Sequence, residues 1–69
     1  MTQCEQVLKH LRNHGSITQR EAAQQYGIYR LAARIYDLRR EGHDIEKKME
    51  KSGNAQYARY YLHQTKLQL

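Results

Sequence analysis

The chain has 69 residues, with no Trp, Phe or Pro, one Cys, and 12 Lys and Arg against 7 Asp and Glu, giving a net charge of +5. A chain this short makes one small domain, which buries only about 60% of the surface its unfolded form exposes and leaves little room for a water-excluding catalytic pocket. The pI of about 9.6 favours an acidic partner, the lone Cys4 excludes an internal disulfide, and the absence of a long apolar run excludes a signal peptide or membrane span, so a cytoplasmic protein is expected. The mean hydropathy of -1.02 alone would suit a disordered chain. Periodic apolar positions and paired capping signals argue instead for a folded one.

Thr2 and Glu5 form the T-x-x-E pattern of a capping box, in which each side chain satisfies a free backbone N–H at a helix start. A first helix therefore begins near residue 3, with Cys4, Val7, Leu8 and Leu11 as its buried stripe and Gly15 as its left-handed terminator. Cys4 reads as a small core residue rather than a reactive thiol. His10 and His14 stand at i,i+4, a spacing that can chelate a metal from one helix face. No third ligand converges on them, and neither a metal nor another cofactor is expected.

Ser16 and Ile17 make a short extended link, after which Thr18 and Glu21 repeat the capping box and open a second helix. Ile17 and Ala22 can form a hydrophobic staple, and Ala23 and Tyr26 continue the buried side. Gly27 ends this helix, Ile28 anchors the linker in the core, and a third helix starts at once and runs over 28–41. Its apolar residues Ile28, Leu31, Ile35 and Leu38 are spaced 3, 4 and 3 apart, which at about 100° per residue makes one core-facing stripe. The opposite side carries Tyr29, Ala33, Tyr36 and Arg40, flanked by Arg30, Asp37 and, nearer the core edge, Arg34. A small residue among long donors suits a DNA major groove, where Arg reads guanine edges and small apolar groups meet thymine methyls. Ordinary surface chemistry explains part of the same pattern. Asp37 lies within i,i+3 reach of Arg34 and Arg40, and Arg39 and Arg40 suit the negative end of the helix dipole.

Beyond Gly42 the periodicity becomes alternating. Ile45, Lys47 and Met49 share one side of a first strand, Ala58, Tyr60 and Leu62 form the core side of a second, and Lys51-Ser52-Gly53-Asn54 is the turn between them. Glu46 and Glu50 offset much of the charge of Lys47, Lys48 and Lys51. Residues 1–62 are thus expected to form one domain, mainly α with a β-hairpin, and 63–69 a tail that frays or adds to a dimer contact.

Three helices followed by a hairpin is the winged helix-turn-helix order. The run ITQREAAQQYGIYRLAARIYDLRREGHDIE resembles the small winged helix-turn-helix proteins of bacteriophages and prophages, whose members share an "EA…GI.RL.ARI.DLR..GH.I" pattern and a "Y.L" strand end, here Tyr60-Tyr61-Leu62. The likeness covers about residues 7–62. It implies a winged-helix fold and double-stranded DNA binding by the third helix in a bacterial cell, as a phage or prophage transcription regulator or an excisionase-like architectural factor. The turn between Gly27 and Leu31 departs from the usual helix-turn-helix in being about two residues shorter.

On that reading Tyr29, Arg30, Ala33 and Arg34 lie near base edges, because the N-terminal half of a recognition helix goes deepest, and Tyr36 and Arg40 meet phosphates or a groove wall. The second helix offers Thr18, Arg20 and Gln24 to the backbone, and the wing residues Lys47, Lys48, Lys51 and Asn54 touch an adjacent phosphate or minor groove. A single module covers a short site, so a homodimer or a cooperative array along DNA is expected, with Lys9, Arg12 and Asn13 of the first helix, or Leu67 and Leu69, as candidate contact surfaces. The alternative is a protein-interaction module, such as a phage-encoded inhibitor or adaptor of a host complex, using Tyr29, Tyr36, Tyr57 and Tyr61. No catalytic constellation is recognisable, and no membrane or small-molecule partner is expected.

Overall fold

The computed structural model describes residues 2–63. Helix α1 spans Gln3–His14, strand β1 Ser16–Thr18, α2 Gln19–Tyr26 and α3 Leu31–Arg40, and β2 Ile45–Ser52 and β3 Ala55–Leu62 form the hairpin. Both capping boxes close. Thr2 Oγ1 accepts from the Glu5 N–H at 3.1 Å while Glu5 Oε1 accepts from the Thr2 N–H at 2.8 Å, and Thr18 and Glu21 repeat the exchange at 3.2 and 3.0 Å. Each helix therefore starts one residue after its threonine. Gly27, with φ 68°, closes α2 in the left-handed conformation, and its N–H and that of Ile28 reach back to Ala23 and Ala22.

Val7, Leu11, Ile17, Ala22, Ile28, Leu31, Ile35, Leu38, Ile45 and Tyr60 form one core cluster, with Cys4, Leu8, Tyr26, Ala58 and Leu62 packed against it. Fully burying one Ile or Leu side chain stabilises the fold by roughly 1.5–3 kcal/mol. His10 is buried among them, with Nδ1 2.7 Å from the Tyr26 hydroxyl. Burial, and then the neighbouring His14, lower its pKa, with Glu21 opposing. It is a satisfied core histidine.

Two elements differ in extent from the sequence expectation. Ser16 and Ile17, read as a link, and the cap Thr18 pair antiparallel with β3 as Ser16↔Tyr61, Ile17↔Tyr60 and Thr18↔Arg59, so the sheet has three strands in the order β1-β3-β2 rather than two. Three residues are too few to show a period of two, and their strand character comes from the partner. The third helix begins at Leu31 rather than residue 28. Ile28 is fully buried but lies in the turn, where it mimics one more step of the helical stripe.

Strand β2 pairs with β3 along its whole length and has no second neighbour among the described residues. No helix among them is long and apolar enough to cross a membrane. The tail expected over 63–69 lies, from residue 64 on, outside the described residues.

Candidate nucleic-acid interface

The four residues 27–30 separate α2 from α3, which is the ordinary length for a helix-turn-helix connection. The shortened turn expected from the sequence came from counting Ile28 as helical. Tyr29 is 78% exposed, and Arg30, also exposed, is the N-cap of α3 without a side-chain capping bond of its own. Gln19, the first residue of α2, supplies what is missing. Its Nε2 donates to Ile28 O at 2.7 Å, and its Oε1 accepts from the Leu31 N–H at 2.9 Å. Tyr29 and Arg30 are thereby held outside the helix, as a loop pinned on both flanks.

Along α3, the stripe Leu31, Ile35 and Leu38 is buried as expected, and Ala32, Tyr36, Arg39 and Arg40 are exposed. Ala33 and Arg34 are only half-buried positions and do not stand at the centre of the free face. The physical reason is α1, which covers the Arg34 and Asp37 flank. Arg34 Nη2 is 3.3 Å from Asp37 Oδ2, Arg34 Nε is enclosed without a partner among the described residues, and Cys4 Sγ of α1 lies 4.0 Å from the same Asp37 oxygen. Burial first, and then Asp37, push the Cys4 thiol up, which keeps it protonated and inert. Arg40 instead lies over the Tyr36 ring at 5.7 Å, and Arg39 Nε donates to Ile45 O at 3.0 Å, tying the end of α3 to the hairpin.

The pleat of the hairpin sorts its charges. Ile45, Lys47, Met49 and Lys51 share the face of β2 that turns toward the helices, opposite Leu62, Tyr60, Ala58 and Gln56 of β3, and no carboxylate lies among them. Both glutamates lie on the other face. There Arg59 Nε donates to Glu50 Oε1 at 2.9 Å and the Tyr61 hydroxyl to Glu50 Oε2 at 2.7 Å, which pulls the Glu50 carboxyl down to about 2. The same bonds raise the pKa of Arg59 and of Tyr61. His63 Nε2 is 2.6 Å from Glu46 Oε1, and Lys48 Nζ lies 5.4 Å from the centre of the Tyr61 ring.

Residues 2–65 match the family model of the winged helix-turn-helix domain. The chain belongs to that family. No curated protein and no solved structure gives a significant match. A winged helix-turn-helix domain is a binding module rather than a catalyst, and no group of three or more His, Cys, Asp or Glu among the described residues could hold a metal ion.

Within the winged helix, most of the sequence-expected residues are exposed. Arg20 and Gln24 are exposed on α2, and together with Gln19 and Ala32 they line a cleft of about 610 Å³ between the two helix starts and β3. Lys47, Lys48, Lys51 and Asn54 are exposed on the wing, although Lys48 projects from the far face. Thr18 is a correction. It is 6% exposed, paired in β1, and its hydroxyl oxygen accepts from the Glu21 N–H, so it serves the fold and offers a DNA backbone little surface. Sequence reasoning missed Gln19 and Ala32. Gln19 acts through a contact 12 residues away, and no local spacing tells which flank of α3 the first helix covers.

Proposed function

We propose that this chain binds double-stranded DNA sequence-specifically, with the turn 27–30 and the free face of α3 in the major groove and the hairpin as a wing along the adjacent backbone. The carrying observation is the separation of charge. Arg20, Arg30, Arg40, Lys47 and Lys51 make no ion pair among the described residues, whereas five of the seven acids, Glu5, Glu21, Asp37, Glu46 and Glu50, are taken up by capping boxes, by Arg34 or by the far face of the sheet, and Glu41 and Asp44 stay exposed beyond the end of α3. A polyanion therefore meets these bases with most of the acids already engaged elsewhere.

Tyr29, Arg30, Ala32 and Tyr36 then stand nearest base edges, with Ala33 behind them and Arg34 contributing only if its pair with Asp37 opens. Arg20, Gln24 and Arg40 serve phosphates, and Lys47, Lys51 and Asn54 the wing contact. The resemblance to phage and prophage proteins supports a cytoplasmic role as a transcription regulator or an excisionase-like architectural factor, acting as a dimer or an array because one module spans a short site. Selection from random duplexes with the purified chain tests this. An enriched motif is expected, with affinity for it falling about a hundredfold or more between 50 and 200 mM salt. Arg30→Ala should cost about 1–3 kcal/mol on the selected duplex and relax its base preference.

A second reading, a protein-interaction module, is favoured by the exposure of Tyr29, Tyr36 and Met49, at 78%, 60% and 59%. Selection that yields no motif, together with duplex binding that barely responds to salt, would favour it over DNA.

A further inference from the structure

We infer that Gln19 is a specificity-determining positioning residue, whose carboxamide sets where Tyr29 and Arg30 meet the DNA. The inference rests on the DNA reading proposed above. Ile28 O and Leu31 N are the first acceptor and last donor of a four-residue turn, and in an ordinary β-turn they bond directly to each other. Here the carboxamide is inserted between them, donating to Ile28 O at 2.7 Å and accepting from Leu31 N at 2.9 Å. The two residues spanned by this insertion are Tyr29 and Arg30. The turn is held open, and Arg30 stays at φ -123°, ψ 60° instead of the roughly -90°, 0° of the i+2 residue in a type I turn.

The same contact joins the two helices at their starts. Gln19 is the first residue of α2, next to Arg20, which the proposed function places on phosphate, so docking of α2 on the backbone fixes the turn that enters the groove. Removing the carboxamide leaves two groups that can satisfy each other by closing the turn. Such a closure leaves neither group buried without a partner. The fold survives it, while Tyr29 and Arg30 move relative to α2. A residue that only stabilised the domain would, when lost, lower the active fraction equally for every DNA.

The test uses the full chain, the duplex recovered by selection with the wild type, and a scrambled duplex of equal length and composition. Gln19→Ala should retain the cooperative thermal transition and shift the amide resonances of residues 28–33. It should weaken binding to the selected duplex about tenfold, a change of about 1.4 kcal/mol, with little change on the scrambled one. Gln19→Glu keeps the acceptor for Leu31 but sets a carboxylate against Ile28 O, and should lose discrimination as Gln19→Ala does. Arg20→Ala is the contrast, weakening both duplexes alike. A Gln19→Ala chain that keeps the wild-type ratio of the two affinities overturns the inference while leaving the DNA reading intact. A wild-type chain that shows no preference between duplexes overturns both.

Discussion

At the start of α2, Thr18 and Glu21 satisfy each other's backbone N–H groups within a single turn of chain. At the start of α3, Arg30 makes no capping bond and the Leu31 N–H is satisfied by Gln19, 12 residues upstream. The first arrangement is built from neighbours in sequence and would form in an isolated helix; the second exists only once α2 and the turn have packed together. The difference matters for the function proposed above, in which α2 is the support and α3 the reader. A helix whose start is fixed by its own side chains can be placed anywhere, whereas one whose start is fixed by the supporting helix is held at a set angle to it.

Several changes would break or sharpen this contrast. The largest effect is expected at Ile28, fully buried in the turn, where Ile28→Ala should destabilise the domain by about 2–5 kcal/mol in urea unfolding. A loss well below 1 kcal/mol would mean that packing does not hold the start of α3. Thr18→Ala removes a local cap and should cost about 1–2 kcal/mol by thermal unfolding, whereas the equivalent Thr2→Ala at the exposed start of α1 should cost about 0.5–1 kcal/mol.

Acidification probes the far end of α2, where Tyr26 meets His10. Because burial lowers the folded-state pKa of His10, the unfolded chain takes up that proton first. Stability should be fully present above about pH 6.5 and decline as pH falls from there to the lowered folded value. His10→Gln should flatten that part of the profile. The smallest effect concerns the far face of the hairpin. The Glu50 carboxyl should titrate near 2 by carbon NMR and return toward about 4.3 in Arg59→Gln, with the amide resonances of the 27–30 turn unmoved.

What could be read from the chain follows the same division between local and distant causes. The starts of α1 and α2, the glycine stops after them and the core face of the second hairpin strand rest on neighbouring residues, and the structure places them where the spacing does. The spacing starts α3 three residues early because Ile28 continues the apolar stripe while sitting in the turn. Strand β1 was invisible because its pairing partner lies over 40 residues away. For the candidate interface, Tyr29, Arg30, Tyr36 and Arg40 emerged from periodicity, but the covering of Arg34 and the bracing by Gln19 depend on which helices touch. The glutamates of the wing were counted against its lysines. Alternation sets Glu46 and Glu50 on the face opposite Lys47 and Lys51, with Lys48 on the glutamate side, so that separation is legible in the sequence.

Strand β2 leaves one entire edge of the sheet without a neighbouring strand among the described residues. Bare amide and carbonyl groups along such an edge can recruit a strand from another molecule, the first step of aggregation. Glu46, Lys47, Lys48, Glu50 and Lys51 occupy five of its eight positions, so an incoming strand must strip ionised side chains of water to pair there. Replacing Lys47, Lys48 and Lys51 with threonine would therefore turn the wing into a sticky ribbon, with turbidity and thioflavin fluorescence rising on storage of a chain that still folds.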